Sequence, residues 1–281
     1  MTPFHLLGVA TAFAMVGICT SVAIAYSATP LTVVTVRTLG TLALLLAYFR
    51  FAGVSLAVAP RDRVIALAIG LPLCVNNYLL NAAIAEIPVA LVVLIFYIWP
   101  ALTAVASWAL GKTPFSGRLA AGLALAFGGI ALALDVEFTA AQAKGVWCAA
   151  GAAVAWTATF LLTGHFFHGR YTRPATFHMV LTAGAVFVLA CAVTRDVAPP
   201  VGVLGWGGLA GTGFFYAFAM VALFVATTRI GAMRTGFYMN FEPVAAVLLS
   251  ALLLGQTLAP VQLAGAALVV AALFLFRPPP A

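Results

Sequence analysis

The chain has 281 residues, 65% of them hydrophobic and 7% charged, against roughly half apolar and a quarter charged in soluble domains. Thirteen basic and six acidic side chains are too few to clothe a water-exposed body of 29.1 kDa, whereas a lipid-facing surface asks for none, so a soluble fold is excluded and the chain reads as an all-α integral membrane protein. The net charge of +7 comes from scattered single Lys and Arg residues rather than a stripe, which points away from a nucleic-acid partner.

A membrane-spanning helix needs about 20 apolar residues. Cutting the chain at its turn residues and charges predicts ten transmembrane helices, at 4–25, 31–49, 64–85, 89–110, 119–134, 145–162, 175–193, 202–226, 232–254 and 260–276. The first ends in Ala23-Ile24-Ala25, a signal-peptidase-like site, but it has no Lys or Arg before its apolar run and the run is too long, so it reads as an uncleaved helix. The second stretch contains Arg37 about two turns from its start, where the long stem favours snorkelling to the outer interface over contact with a substrate carboxylate.

The third stretch carries Asn76, Asn77, Tyr78 and Asn81, with helical spacing that predicts one shared polar face turned away from lipid. Its Pro72 reads as a packing bend, and Glu86 as a cap for the fourth stretch beside Pro88. The fourth holds Tyr97, Trp99 and Pro100; the sixth Trp156, with Phe160 one turn on; the eighth Tyr216; the ninth Tyr238, Asn240, Glu242 and Pro243. Pro100 and Pro243 withdraw the donors for the carbonyls of Phe96 and Met239, which makes both prolines candidate hinges. His165 and His168, near Arg170, Tyr171 and Arg173, read as a headgroup-contacting belt rather than a metal site. Gly111-Lys112-Thr113 resembles the tail of a phosphate-binding loop, but it follows a membrane helix and lacks the earlier glycine, so no nucleotide site is supported. The four cysteines lie singly in apolar runs and form no disulfide or metal pattern. No cofactor and no enzymatic activity are expected.

Basic residues near short loops stay on the cytoplasmic side. With the N-terminus inside, that side holds Arg50, Arg61, Arg63, Lys112, Arg118, Arg170, Arg173, Arg229 and Arg277, against Lys144 and Arg195 outside. Both termini are therefore expected in the cytoplasm.

Sliding the sequence against itself by about 143 positions superposes Ile87 on Ile230, Ala90 on Met233, Trp99-Pro100 on Glu242-Pro243 and Gly122 on Gly265. Each half, 1–138 and 139–281, has five predicted helices. An odd number turns the second copy upside down, and inverted repeats of this kind characterise secondary transporters with a site where the copies meet.

Ten helices in two such halves, each with a proline inside its fourth helix and a Leu-Gly ending (Pro100 with Leu110-Gly111, Pro243 with Leu254-Gly255), resemble the drug/metabolite transporter superfamily and its EamA-type repeat. Within it, Tyr97-Ile98-Trp99-Pro100-Ala101-Leu102-Thr103 is similar to the aromatic amino acid exporters of bacterial inner membranes. The family's usual Leu-Gly-Glu ending is replaced here by Lys112 and Gln256. The resemblance implies outward transport of aromatic or other uncharged amino acids across the inner membrane, by a monomer rocking between two states.

The residues themselves are compatible with that cargo. Asn77, Tyr78, Asn81, Tyr97, Trp99, Trp156, Tyr216, Tyr238, Asn240 and Glu242 form the candidate substrate-binding set: rings for stacking, amides for hydrogen bonds. The competing reading treats the amides and hydroxyls as interhelical glue worth about 1 kcal/mol each. Glu242, the carboxylate deep in a span, has three readings: proton coupling, binding a substrate ammonium, or packing as a neutral group.

Overall fold

The protein is described from a computed structural model covering residues 3–87, 89–112, 116–134, 143–167, 172–254 and 259–275. In lipid every backbone polar group must be satisfied within its own segment, which leaves apolar stretches like these one conformation, the helix. The described elements are α1 (Pro3–Ala25), α2 (Pro30–Phe51), α3 (Pro60–Glu86), α4 (Val89–Phe96), α5 (Trp99–Ala109), α6 (Gly117–Leu134), α7 (Ala143–Phe166), α8 (Thr172–Thr194), α9 (Gly202–Ile230), α10 (Ala232–Met239), α11 (Phe241–Leu254) and α12 (Pro260–Leu275). Among the described residues, eight segments are long and apolar enough to cross a membrane, counting 92–109 and 232–253 as one segment each. The helices at 117–132 and 260–274, at the expected fifth and tenth spans, are apolar but shorter among the described residues.

Proline and threonine set several starts. Pro30 opens α2 where no donor is needed, and the side chain of Thr29 accepts from the Thr32 amide. Pro60 opens α3 in the same way, while Pro72 lies inside α3 without ending it.

The packing is matched in pairs. α1 lies on α9 as α3 lies on α7; α2 lies on α9 as α8 lies on α3; α2 meets α8, and α6 meets α12. Small residues bring these helices close: a Cβ on Gly208 of α9 would sit 2.8 Å from the Cys19 carbonyl oxygen of α1. The outward faces carry large apolar side chains such as Phe51, Leu252 and Trp147.

Two expected single helices are interrupted. The stretch 89–110 breaks at Tyr97 and Ile98, and 232–254 breaks at Asn240. The breaks fall where proline chemistry places them, because Phe96 and Met239, whose carbonyls lose their donors to Pro100 and Pro243, are the last residues of α4 and α10. Pro100 lies in the first turn of α5, where its missing N–H is harmless.

Candidate transport site

A cavity of about 250 Å³ lies where both broken helices meet α1, α2, α3, α7 and α9. Its wall includes Phe13, Thr20, Arg37, Asn77, Phe96, Trp99, Trp156, Tyr216, Met239 and Glu242. The terminal residues of the half-helices α4 and α10 thus face the same space as Glu242.

Arg37 corrects the sequence reading. It does not snorkel outward: its guanidinium carbon lies 4.5 Å from the centroid of the Tyr216 ring, and Nη2 donates to Oδ1 of Asn77. Its Nε is buried without a hydrogen-bond partner. Asn77 is fixed in turn, donating through Nδ2 to the Leu73 carbonyl at 2.8 Å and hydrogen-bonding the Tyr216 hydroxyl. A cation this deep is tolerated only where it faces protein or a cavity and is partnered, and Tyr216 and Asn77 provide both.

Glu242 opens α11 and hydrogen-bonds the Tyr97 hydroxyl. Its carboxylate and the Arg37 guanidinium line one cavity without pairing with each other, whereas Lys144 at the start of α7 pairs with Glu86 at the end of α3. That pair gives Glu86, expected beside the start of α4, a lysine partner on another helix.

Aromatic packing backs the cavity behind Trp99 and Trp156. Trp99 contacts Trp156 edge-on at 6.4 Å and Phe160 at 4.8 Å between centroids, and Phe160 continues to Phe224 at 6.1 Å. Trp99 is 2% exposed and its indole occupies space left by Gly236, where a Cβ would approach Cζ3 to 2.9 Å. Its carbonyl, at the start of α5, accepts from the hydroxyls of Thr103 at 2.8 Å and Thr157 at 3.3 Å. The start of α5 is thereby tied to α7.

A second, larger space of about 440 Å³ opens between α5, α6 and α10. Its lining is almost wholly apolar, with Tyr97 and Asn240 at the helix breaks and Trp108 and Ser116 at the far end of α5 and the approach to α6. Its lining carries no charged group, whereas that of the smaller central cavity carries Arg37 and Glu242. Tyr97 separates the two, lining the groove while its hydroxyl reaches Glu242 in the cavity.

Of the residues expected to form the site, Asn77, Trp99, Trp156, Tyr216 and Glu242 line the central cavity, and Tyr97 holds Glu242 from behind. Three do not join them. Tyr78 is 70% exposed on the outer face of α3, because one residue past Asn77 turns a helical side chain through about 100°. Tyr238 is buried in a separate apolar cluster with Phe237 and Val269. Asn240 caps α10 by donating to the Phe237 carbonyl at 2.8 Å and faces the groove. The side chain of Asn81 and the residues His168, Arg170, Tyr171, Gln256 and Arg277 lie outside the described set. Asn76 lines the cavity as well, with its Nδ2 committed to the Ala152 carbonyl of α7 at 3.0 Å.

The residues missed by sequence reasoning were Arg37, Phe13 and Thr20. For Arg37 a signal existed: Thr38 and Thr41 beside it belong to a buried threonine series with Thr32 and Thr35, which marks that side of α2 as protein-facing. Phe13 and Thr20 sit in a stretch whose composition distinguishes no face. Among the described residues, no group of three His, Cys, Asp or Glu side chains gathers to hold a metal.

Residues 3–134 and 143–277 each match the EamA-like transporter family. No curated protein matches the chain. A solved structure, titled only as a crystal structure of a protein, superposes with a TM-score of 0.84 over 96% of this chain and 94% of its own, at 19% identity. At that identity the likeness speaks for the fold alone.

Proposed function

We propose that this chain, which belongs to the EamA-like transporter family and is a multi-pass membrane transporter of the drug/metabolite transporter superfamily, exports small metabolites, foremost aromatic and other uncharged amino acids. The carrying observation is the central cavity: rings of Trp99, Trp156 and Tyr216 for an apolar side chain, with Arg37, Asn77 and Glu242 among its few polar groups, beside Thr20 and Asn76. Its volume of about 250 Å³ falls below the roughly 300–1,000 Å³ of drug-sized sites, which favours a metabolite.

The mechanism in this reading is alternating access by two inverted halves, 1–138 and 139–281, rocking around the cavity. The matched packing of α1 on α9 and α3 on α7, and proline-broken helices at corresponding places, support it. Pro100 and Pro243 serve as hinges because each half-helix end can tilt without stretching a backbone hydrogen bond that the proline has already removed. The charge bias supports a bacterial inner-membrane carrier with both termini in the cytoplasm, acting as a monomer.

The purified protein in liposomes preloaded with tryptophan tests this. Labelled tryptophan outside is expected to enter by saturable counterflow and to be displaced by phenylalanine and tyrosine. Displacement by nucleosides or drug-like cations but not by amino acids would replace the cargo. Flux that neither saturates nor responds to tryptophan inside would make the protein a channel.

A further inference from the structure

We infer that the cavity recognises its cargo as a zwitterion, with Arg37 the anchor for a carboxylate and Glu242 the anchor for an ammonium; this deepens, and rests on, the amino acid reading above.

A charged residue in the middle of a membrane protein is costly unless it is paired or faces a water-filled cavity. The simplest economy for Arg37 and Glu242, which line one small cavity, is to pair with each other, and they do not. Each is instead held by neutral groups. Arg37 has the Tyr216 face and the Asn77 amide oxygen, and Glu242 has the Tyr97 hydroxyl. Neither set neutralises the charge it holds.

The partners also orient the ends. Asn77 is held by the bond of its Nδ2 to the Leu73 carbonyl, and the guanidinium carbon lies over the ring of Tyr216. That leaves a fork of N–H donors, which matches the two oxygens of a carboxylate. Around Glu242, the last residues of α4 and α10, Phe96 and Met239, line the same cavity, and the carboxyl ends of helices favour positive charge. A site with one fixed cation and one fixed anion, unpaired and joined by aromatic wall, is complementary to a molecule that carries both charges and an apolar side chain. It rejects molecules carrying only one, since either pole would remain buried and unmatched.

Binding is read as the rise in melting temperature of the purified protein, independently of transport, with four related compounds. Phenylalanine has both charges, phenylalanine amide lacks the carboxylate, phenylpropionate lacks the ammonium, and phenylalaninol replaces the carboxylate by a hydroxyl. Against the unaltered protein, phenylalanine is expected to bind roughly thirtyfold or more tightly than each of the other three, the loss typical of leaving one member of a buried charge pair unmatched. Arg37→Gln should weaken phenylalanine by a similar factor and leave the amide nearly unchanged; Glu242→Gln should do so for phenylalanine and leave phenylpropionate nearly unchanged. Arg37→Lys, which keeps the charge and loses the fork, should fall between and shows that the site still folds.

If the amide binds the unaltered protein as tightly as phenylalanine while tryptophan counterflow persists, the zwitterion assignment is overturned and the export reading survives. If phenylalanine neither binds nor is transported, both fall.

Discussion

The guanidinium of Arg37 lies 4.5 Å from the centre of the Tyr216 ring, so a cation on α2 is held inside the membrane by an aromatic face from α9. A desolvated contact of this kind is worth about 2 kcal/mol. Tyr216→Leu is therefore expected to lower unfolding free energy in detergent by about 2 kcal/mol. Tyr216→Phe keeps the ring, forfeits the bond to Asn77, and should lose about 1 kcal/mol. Equal losses for the two variants would show that the ring face contributes nothing.

Gly236 makes room for Trp99. Alanine is a better helix former than glycine by about 1 kcal/mol, but a Cβ here would lie 2.9 Å from the indole, and overpacking costs about 1–3 kcal/mol. Gly236→Ala should thus lose stability on balance and raise the half-saturation concentration for tryptophan more than for alanine, measured by counterflow. A gain in stability with unchanged tryptophan transport would mean the indole moves freely.

Asn76 and Asn77 are neighbours with different duties. Asn76→Leu removes an α3–α7 bond and should cost about 0.6–2 kcal/mol of stability with transport of the folded protein intact. Asn77→Leu strips the Arg37 fork of its fixed acceptor and should abolish saturable transport at comparable stability. Reversal of the two phenotypes would move the cargo contact from Asn77 to Asn76, which lines the same cavity.

Pro243→Ala restores a donor for the Met239 carbonyl and should knit α10 to α11 as one helix. The expected result is a lower maximal transport rate with cargo affinity little changed, because the cavity lining remains while the hinge stiffens. Lower affinity at an unchanged rate would assign Pro243 to binding.

Lys144 and Glu86 are exposed by 75% and 38%, so water screens the pair strongly. A double-mutant cycle with Lys144→Gln and Glu86→Gln should return a small coupling that diminishes in high salt. A much larger, salt-insensitive coupling would imply that the pair is buried during transport.

The helical class and most helix positions are legible from hydrophobic runs, because lipid permits little else. The helix breaks were half legible. Pro100 and Pro243 name the carbonyls they free, but how completely a helix separates depends on what receives its ends, such as Thr157 of α7 bonding the Trp99 carbonyl. Side-chain directions were the least legible. Asn77 and Tyr78 are adjacent and both polar, and only packing against α2 and α9 decides that the first faces the cavity and the second faces out. Arg37 was misread because its depth along α2 fits snorkelling; the deciding contact, Tyr216, lies 179 positions away along the chain.

The central claim, that cargo passes through the space shared by Arg37 and Glu242, is tested most directly by thiol labelling in a chain whose four native cysteines are replaced by alanine. Leu80, which lines the cavity, and Tyr78, which points outward, are each changed to cysteine and exposed to a water-soluble maleimide with and without saturating phenylalanine. Labelling at 80 that phenylalanine suppresses, with no labelling at 78, is the predicted result. Labelling at 78 that phenylalanine suppresses, with 80 inert, would contradict the account.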